Sequence, residues 1–183
     1  MKVLVSYYSE TGNTEKIAKA IHEETSKNHD SSLKTLEELE VSDLDNYDLI
    51  FLGSATHSSD LARPVLNFIK KIPDSSKFKL AGFVTHAVYL PSESEEITAS
   101  HNKWAGRCIQ TFESLQEEKG IEFIEFYSCM GAPSPPIVEF IQTSVIPSEE
   151  QYNAYIEIVR KHPNEEDIEK AKNFVQSVLK KCA

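Results

Sequence analysis

Cysteine, positive charge and long apolar runs are all scarce in this chain of 183 residues. Its three cysteines, Cys108, Cys129 and Cys182, lie far apart and form no Cys-x-x-Cys pair, which disfavours a zinc or iron–sulfur site and fits reduced intracellular thiols. Only 19 Lys and Arg oppose 29 Asp and Glu, giving a net charge of −10. That charge disfavours nucleic acid and acidic membranes as partners.

The apolar runs are too short to cross a membrane, and the one that follows Lys2 is too short for a signal peptide. We therefore expect no membrane insertion and a cytoplasmic location. A composition of 40% hydrophobic and 26% charged residues is that of an ordinary globular chain. Its length predicts one domain over residues 1–183, large enough for a sizeable core.

What is present is a polar loop between a strand-like and a helix-like segment. Residues 2–8 are β-branched and aromatic, and residues 15–22 carry apolar side chains on one helical face. Between them lies Ser-Glu-Thr-Gly-Asn-Thr, residues 9–14 (the 9–14 loop). The start of a helix offers unpaired N–H groups and the positive end of its dipole, and hydroxyls add further donors. The loop therefore predicts a phosphate site, although Thr and Asn also serve as plain helix caps.

Strand-like and helix-like segments alternate along the rest of the chain. Apolar runs predict strands at 49–52, 78–84 and 121–127, with a further short one at 33–36, and residues 85–100 read as a long loop. Helical patterns cover 64–72, about 101–119, 148–161 and the stretch after Asn164, and Trp104 begins an apolar stripe that we assign to the core. Such alternation predicts an open parallel α/β sheet with helices on both faces. Residues 131–161 form an addition before the last helix.

Several α/β functions lack their motifs here. The 9–14 loop has no Lys for a nucleoside-triphosphate site, no Gly-x-Gly-x-x-Gly for a dinucleotide, and no Cys and Arg for a phosphatase. The first strand ends without the acids that a magnesium-dependent receiver domain needs. What remains is a loop that holds a monoester phosphate with neutral donors.

The 9–14 loop matches the Ser/Thr-x-Thr-Gly-x-Thr pattern, and the chain resembles the flavodoxin family over nearly its whole length. The resemblance implies a three-layer sandwich with a five-stranded parallel sheet in the order 2-1-3-4-5, and FMN bound without a covalent bond. It also implies three groups of contacts. Ser9, Thr11, Gly12, Asn13 and Thr14 would hold the phosphate; Ala55 and Thr56 would support the ribityl chain and ring; Thr85, His86 and Ala87 would line the ring's sides.

The ring side departs from the family pattern. His57 stands where many flavodoxins have an aromatic residue, and Ser58 stands where many have a glycine, although a positive φ is disfavoured for serine. His86 and Ala87 replace a Gly-Asp pair, and Tyr89 falls near the usual stacking tyrosine. Either histidine could contact the flavin or simply satisfy loop carbonyls. Two histidines without a third ligand do not predict a metal site.

The leading hypothesis is a small electron carrier between protein partners, as a monomer or homodimer. The acidic run at 92–96 is either a solvated loop or part of a docking surface for a basic redox partner. The alternative is an NAD(P)H-dependent FMN oxidoreductase that reduces quinones or similar acceptors, since the small residues at 54–59 leave room for a nicotinamide. A third hypothesis is a docking module without redox activity. No residue is predicted to act as a catalytic acid, base or nucleophile.

Overall fold

A parallel sheet of five long strands forms the centre of the molecule. The computed structural model describes residues 1–74 and 76–183. The sheet order is β2-β1-β3-β5-β6, and a two-residue β4 pairs antiparallel with the end of β3. Counted by its long strands this is the predicted order, 2-1-3-4-5. The strands are β1 (Lys2–Tyr7), β2 (Asp30–Thr35), β3 (Leu49–His57), β4 (Asp60–Leu61), β5 (Lys79–His86) and β6 (Phe123–Met130).

Helices cover both faces of the sheet, as predicted. Alternate residues of a strand point to opposite faces, so Val3 and Val5 pack in one core and Leu4 in the other. The Val3 core holds α1 and α7, and the Leu4 core holds α2 and α4. The helices are α1 (Asn13–Thr25), α2 (Arg63–Ile69), α3 (Glu95–Trp104), α4 (Arg107–Lys119), α5 (Pro135–Phe140), α6 (Glu149–Val159) and α7 (Glu165–Cys182).

Residues 131–161 build a third apolar cluster of their own. The segment contains α5, a π-helical turn at Ile141–Val145 and α6. Ile141, Tyr155 and Val159 pack there with Met130 at the end of β6, and Tyr89 lies against them. The cluster therefore lies beside the carboxyl end of the sheet. That residues 1–183 form one domain with this segment as an addition stays a prediction.

The predicted helix at 101–119 and the predicted loop at 85–100 were both wrong in extent. The chain forms two helices there, α3 and α4, separated at Ala105 and Gly106. Ser94 caps α3 by accepting a hydrogen bond from the Ile97 N–H at 3.4 Å, and two glutamates follow in the first turn. This is an ordinary helix start within the acidic run. In addition, β5 continues to His86, two residues past the predicted strand end.

In the part of the chain that the structure describes, no helix is both long enough and apolar enough to cross a membrane. The same residues place no group of three or more His, Cys, Asp or Glu side chains where they could share a metal ion.

Candidate functional site

The carboxyl ends of β1, β3 and β5 enclose a cavity of about 1150 Å³. The loops are tied together at this edge, because the Tyr8 N–H donates to the Gly53 carbonyl at 3.0 Å and the Ala55 N–H donates to the Tyr8 carbonyl at 3.3 Å. Most predicted site residues line the cavity: Thr11, Asn13, Ala55, Thr56, His57, Ser58, Thr85, His86, Ala87 and Tyr89. Ser9, Gly12 and Thr14 lie outside its lining.

The 9–14 loop leads directly into α1 through a left-handed residue. Gly12 immediately precedes the helix with φ +82°, a conformation that suits glycine, and a Cβ there would meet no atom within 4 Å. The Gly12 N–H donates to Ser9 Oγ at 3.1 Å, which leaves the Ser9 hydroxyl hydrogen available. The loop thus presents free donors and the positive end of a 13-residue helix at the cavity.

The Asn13 side chain holds the loop to the 131–161 segment. Its amide nitrogen donates to Thr11 Oγ1 and to the Ala132 carbonyl, both at 2.8 Å. Gly131 makes this approach possible, since a Cβ there would lie 2.9 Å from Asn13 Nδ2. Because both amide hydrogens are committed within the protein, a contact from Asn13 to a phosphate would use the backbone N–H.

Thr14 lies behind the cavity wall. It is 1% exposed, and its Oγ1 is 2.8 Å from Oγ1 of Thr85, which is 5% exposed. This buried hydrogen bond joins the first turn of α1 to the end of β5. Thr14 therefore positions two loops relative to each other, whereas Ser9 and Thr11 accept hydrogen bonds within the 9–14 loop and keep their hydroxyl hydrogens.

His57 is paired with a glutamate of the 9–14 loop. Its Nε2 lies 3.2 Å from Glu10 Oε1, and the Tyr8 hydroxyl donates to the same oxygen at 3.1 Å. His57 and Glu10 both line the cavity. Sequence reasoning missed Glu10, although it lies in the loop that motivated the site, because a lone acid beside hydroxyls carries no pattern of its own.

Ser58 and Ser59 form a strained two-residue turn. They join His57 and Asp60, which pair across β3 and β4, and their φ angles are +50° and +76°. Two central residues with positive φ are characteristic of type I′ hairpins, which favour Asn-Gly. A hydrogen bond from Ser59 Oγ to the Lys103 carbonyl at 2.6 Å supports the turn. Ser58 therefore adopts a positive φ, which is disfavoured for a serine.

His86 is a neutral imidazole in the wall of the cavity. Its Nδ1–H donates to the Val88 carbonyl at 3.1 Å, and its Nε2 has no hydrogen-bond partner among the described residues. The ring of His101 from α3 packs edge-on against it at 5.0 Å. Burial, and then the nearby His101, lower the pKa of His86 to about 3, and burial also lowers the pKa of His101.

The part of the cavity lining contributed by α3, α5 and α6 is mainly apolar (the apolar wall). Trp104 contacts Phe140 edge-to-face at 5.9 Å, and Tyr89 contacts Tyr155 in the same way at 5.8 Å. The Tyr155 hydroxyl donates to the Ala87 carbonyl at 2.6 Å, which anchors α6 to the loop after β5. The apolar wall comprises Ile97, Trp104, Ile137, Phe140, Ile141 and Tyr155.

Trp104 corrects the sequence interpretation, which assigned it to the core. It is partly exposed on the cavity, whereas Cys108, Phe112 and Leu115 of the same predicted stripe are buried. The break between α3 and α4 explains the difference, because it takes Trp104 off the helix that carries the other three.

Burial raises the pKa of the Cys108 thiol to about 11, which keeps it protonated and inert.

Charge in the cavity is sparse and negative. Among the described residues that line it, the carboxylates are Glu10 and Glu96, and there is no lysine or arginine. Lys16, at the start of α1, instead donates to the Pro163 carbonyl at 2.6 Å. A bound phosphate would therefore rely on hydroxyls, backbone N–H groups and the helix dipole.

These features define a class of protein: an open, doubly wound α/β sheet with a cavity where the strand order reverses, beside a helix start of the kind that suits an anion. The family assignment follows from comparison of sequences. The flavodoxin-domain family matches residues 4–176, nearly the whole chain, and the protein belongs to the flavodoxin family. Membership implies a flavin cofactor and a redox role.

One relative in sequence and several solved structures resemble the chain over nearly its whole length. An uncharacterised protein of Methanocaldococcus jannaschii is 27% identical over 185 residues, covering 98% of this chain and 99% of its own length. Oxidised flavodoxin 1 from Bacillus cereus superposes with a TM-score of 0.64 at 21% identity, over 98% of both chains. Rubredoxin oxygen:oxidoreductase from Desulfovibrio gigas has a TM-score of 0.64 at 14% identity, over 99% of this chain and 36% of that one. At these identities the structural likeness shows the fold alone.

Proposed function

We propose that the protein binds FMN without a covalent bond and carries electrons between protein partners. The observation that carries the proposal is the 9–14 loop, which sets Gly12 at φ +82° before α1 and leaves neutral donors beside the cavity. FMN supplies the redox chemistry when bound, and the chain's residues bind it and tune its surroundings.

The residues divide into three groups by what they offer FMN. Ser9 and Thr11 donate hydroxyl hydrogens to the phosphate, and the first-turn N–H groups of α1 add theirs. Ala55 and Thr56 support the ribityl chain and ring. His57, Ser58, Thr85, His86, Ala87 and Tyr89 surround the ring.

His86 would act on the ring as a neutral group. Its depressed pKa keeps it uncharged across the physiological pH range, so it does not stabilise a negative charge on the flavin as a cation would. Glu10, beside His57, adds a carboxylate to the lining of the cavity. Both features favour the uncharged forms of the ring.

Acidic residues near the cavity suggest the partner. Glu93, Glu95 and Glu96 are exposed, and Glu96 itself lines the cavity. Together with the net charge of −10 they favour a redox protein with a basic surface, met at the flavin edge in the cytoplasm. The protein would act as a monomer or homodimer.

One observation favours a second candidate, an NAD(P)H-dependent oxidoreductase for quinones or similar acceptors. The cavity continues to the apolar wall on α3, α5 and α6, which leaves room for a small acceptor. The absence of lysine and arginine from its described lining gives the phosphates of a nicotinamide dinucleotide no ion pair, and for this reason we place the carrier first.

An absorption spectrum of the purified protein, followed by anaerobic mixing with NADH or NADPH, separates the candidates. The carrier predicts a flavin spectrum, FMN reconstitution of any apoprotein, and no rapid bleaching by either nucleotide. Fast bleaching with turnover on a quinone would replace the carrier by the oxidoreductase. A protein that stays colourless in excess FMN would remove both and favour a docking module without redox activity.

A further inference from the structure

We infer that the apolar wall is a second binding subsite, beside the proposed FMN site, for an uncharged aromatic small molecule. The inference rests on the proposed function only for what occupies the rest of the cavity. The cavity measures about 1150 Å³. Pockets that bury one drug-sized ligand typically measure roughly 300–1,000 Å³. The volume therefore leaves space for a second ligand.

The aromatic pairs of the wall point to a flat ligand. Trp104 with Phe140, and Tyr155 with Tyr89 of the proposed ring site, are edge-to-face contacts with interplanar angles of 77° and 82°. Edge-to-face packing does not stack the two rings, so a flat ligand can use a ring face that neither the partner ring nor, for Trp104, the Lys103 ammonium 4.8 Å from its centroid occupies. Four aromatic side chains from separate elements thus line one cavity.

Two side chains of the wall are unusually exposed. Ile137 is 45% and Phe140 43% exposed, although the third apolar cluster lies directly beside them. Both belong to α5 and line the cavity. Exposed apolar surface that faces a cavity gains free energy when a ligand covers it, at roughly 25 cal/mol per Å². This favours an apolar occupant over water.

Charge excludes most other ligands of that size. The described lining has two carboxylates, Glu10 and Glu96, and no lysine or arginine. An anionic ligand such as a fatty acid or a second nucleotide would meet these two carboxylates and no cation in the described lining, since Lys103 packs its Nζ over the Trp104 ring at 4.8 Å without lining the cavity. Quinones are one class of uncharged, flat molecule that meets these conditions.

Isothermal titration calorimetry with menadione tests the subsite, using the FMN-loaded protein in its oxidised state so that no reaction accompanies binding. Phe140→Ala removes a wall ring without opening a core, and Ile158→Ala is the matched control, because Ile158 is 42% exposed in the same segment but does not line the cavity. We expect micromolar binding that Phe140→Ala weakens about tenfold and Ile158→Ala leaves unchanged. FMN affinity, measured separately, should stay within about twofold in both variants.

Trp104 is the sole tryptophan, so its fluorescence reports whether a ligand binds at the apolar wall. In FMN-free protein, menadione should quench Trp104 emission with the affinity found by calorimetry, and adding FMN should not displace it. Displacement of one ligand by the other would show that the wall belongs to the flavin site, and would overturn the subsite while leaving FMN binding intact. Absence of menadione binding, or equal losses in the two variants, would also overturn it. If FMN fails to bind, the proposed function falls, and the quenching experiment still tests the wall.

Discussion

The two ends of the cavity are built in different ways. The phosphate end comes from six consecutive residues at the start of α1, and its main donors are backbone groups and short hydroxyls. The ring end collects side chains from β3, β5, α3, α5 and α6, which lie up to about a hundred positions apart in the chain. A contiguous site can be recognised from its sequence, whereas a site assembled by tertiary contacts depends on where each helix ends.

Charge at the phosphate end should have the largest effect. Thr11→Asp places a carboxylate against the proposed phosphate, and we expect FMN binding to weaken about 100-fold, since two charges about 5 Å apart repel by about 3 kcal/mol at an effective dielectric constant of 20. Thr11→Asn is the matched control of nearly the same shape without the charge. Fluorescence titration of FMN measures both, and equal affinities would show that the phosphate does not lie there.

Gly131→Ala should break the contact that joins the two ends. Its new Cβ would lie 2.9 Å from Asn13 Nδ2 and 3.0 Å from Asn13 Cγ, so the Asn13 amide must leave the Ala132 carbonyl. We expect unfolding free energy to fall by about 2 kcal/mol. Urea titration measures the change.

A double-mutant cycle isolates the cause of that loss. In an Asn13→Ala background the amide is gone but the Cβ of residue 13, 3.0 Å from the new methyl, remains, so the added cost of Gly131→Ala should be smaller but not zero. Additive costs would mean that Gly131 matters for a reason other than Asn13.

His86 belongs to the ring end and makes stability depend on pH. Its pKa of about 3 in the folded protein lies below its ordinary value of 6.5. Between these two pH values this histidine is protonated in the unfolded chain but neutral in the folded protein. This contribution to stability is complete above about pH 6.5 and is lost as the pH falls towards 3, with a slope of at most about 1.4 kcal/mol per pH unit. His101, whose pKa burial also lowers, adds in the same direction.

His86→Asn should flatten that dependence in urea titrations between pH 7 and pH 5, because an asparagine does not titrate but can still donate to the Val88 carbonyl. Imidazole ¹⁵N shifts offer a direct check on the native protein, with His86 neutral at pH 5 and its proton on Nδ1. A protonation midpoint near 6 would contradict the burial of this ring.

Local patterns were sufficient for the parallel α/β sheet with its two helical layers and for the 9–14 loop, because strand and helix periodicity and the Gly12 turn are properties of neighbouring residues, whereas the sheet order came from the family resemblance. They were insufficient where a contact spans the chain. The hydrogen bond from Asn13 to Ala132 joins residues 119 positions apart, and no sequence pattern near either residue predicts it.

Other failures came from helix boundaries. Ser94 followed by two glutamates is a readable helix start, and it went unused because the acidic run was assigned to a loop. That error placed Trp104 on the wrong helix and hid the apolar wall. The FMN contacts of the individual residues stay predictions for both ends of the cavity.

The smallest expected effect lies in the turn at residues 58 and 59. Ser58 has φ +50°, so Ser58→Gly should relieve backbone strain and raise the unfolding free energy by about 0.5–1 kcal/mol, whereas Ser58→Ala keeps a Cβ and should give no such gain. Urea titration compares the two variants. The turn lies beside His57 and makes no part of the 9–14 loop. Relief of its strain should therefore leave the affinity for FMN unchanged. If the free energy of FMN binding changed by more than the free energy of unfolding, the turn would act on the flavin directly, and the two ends of the cavity would be coupled.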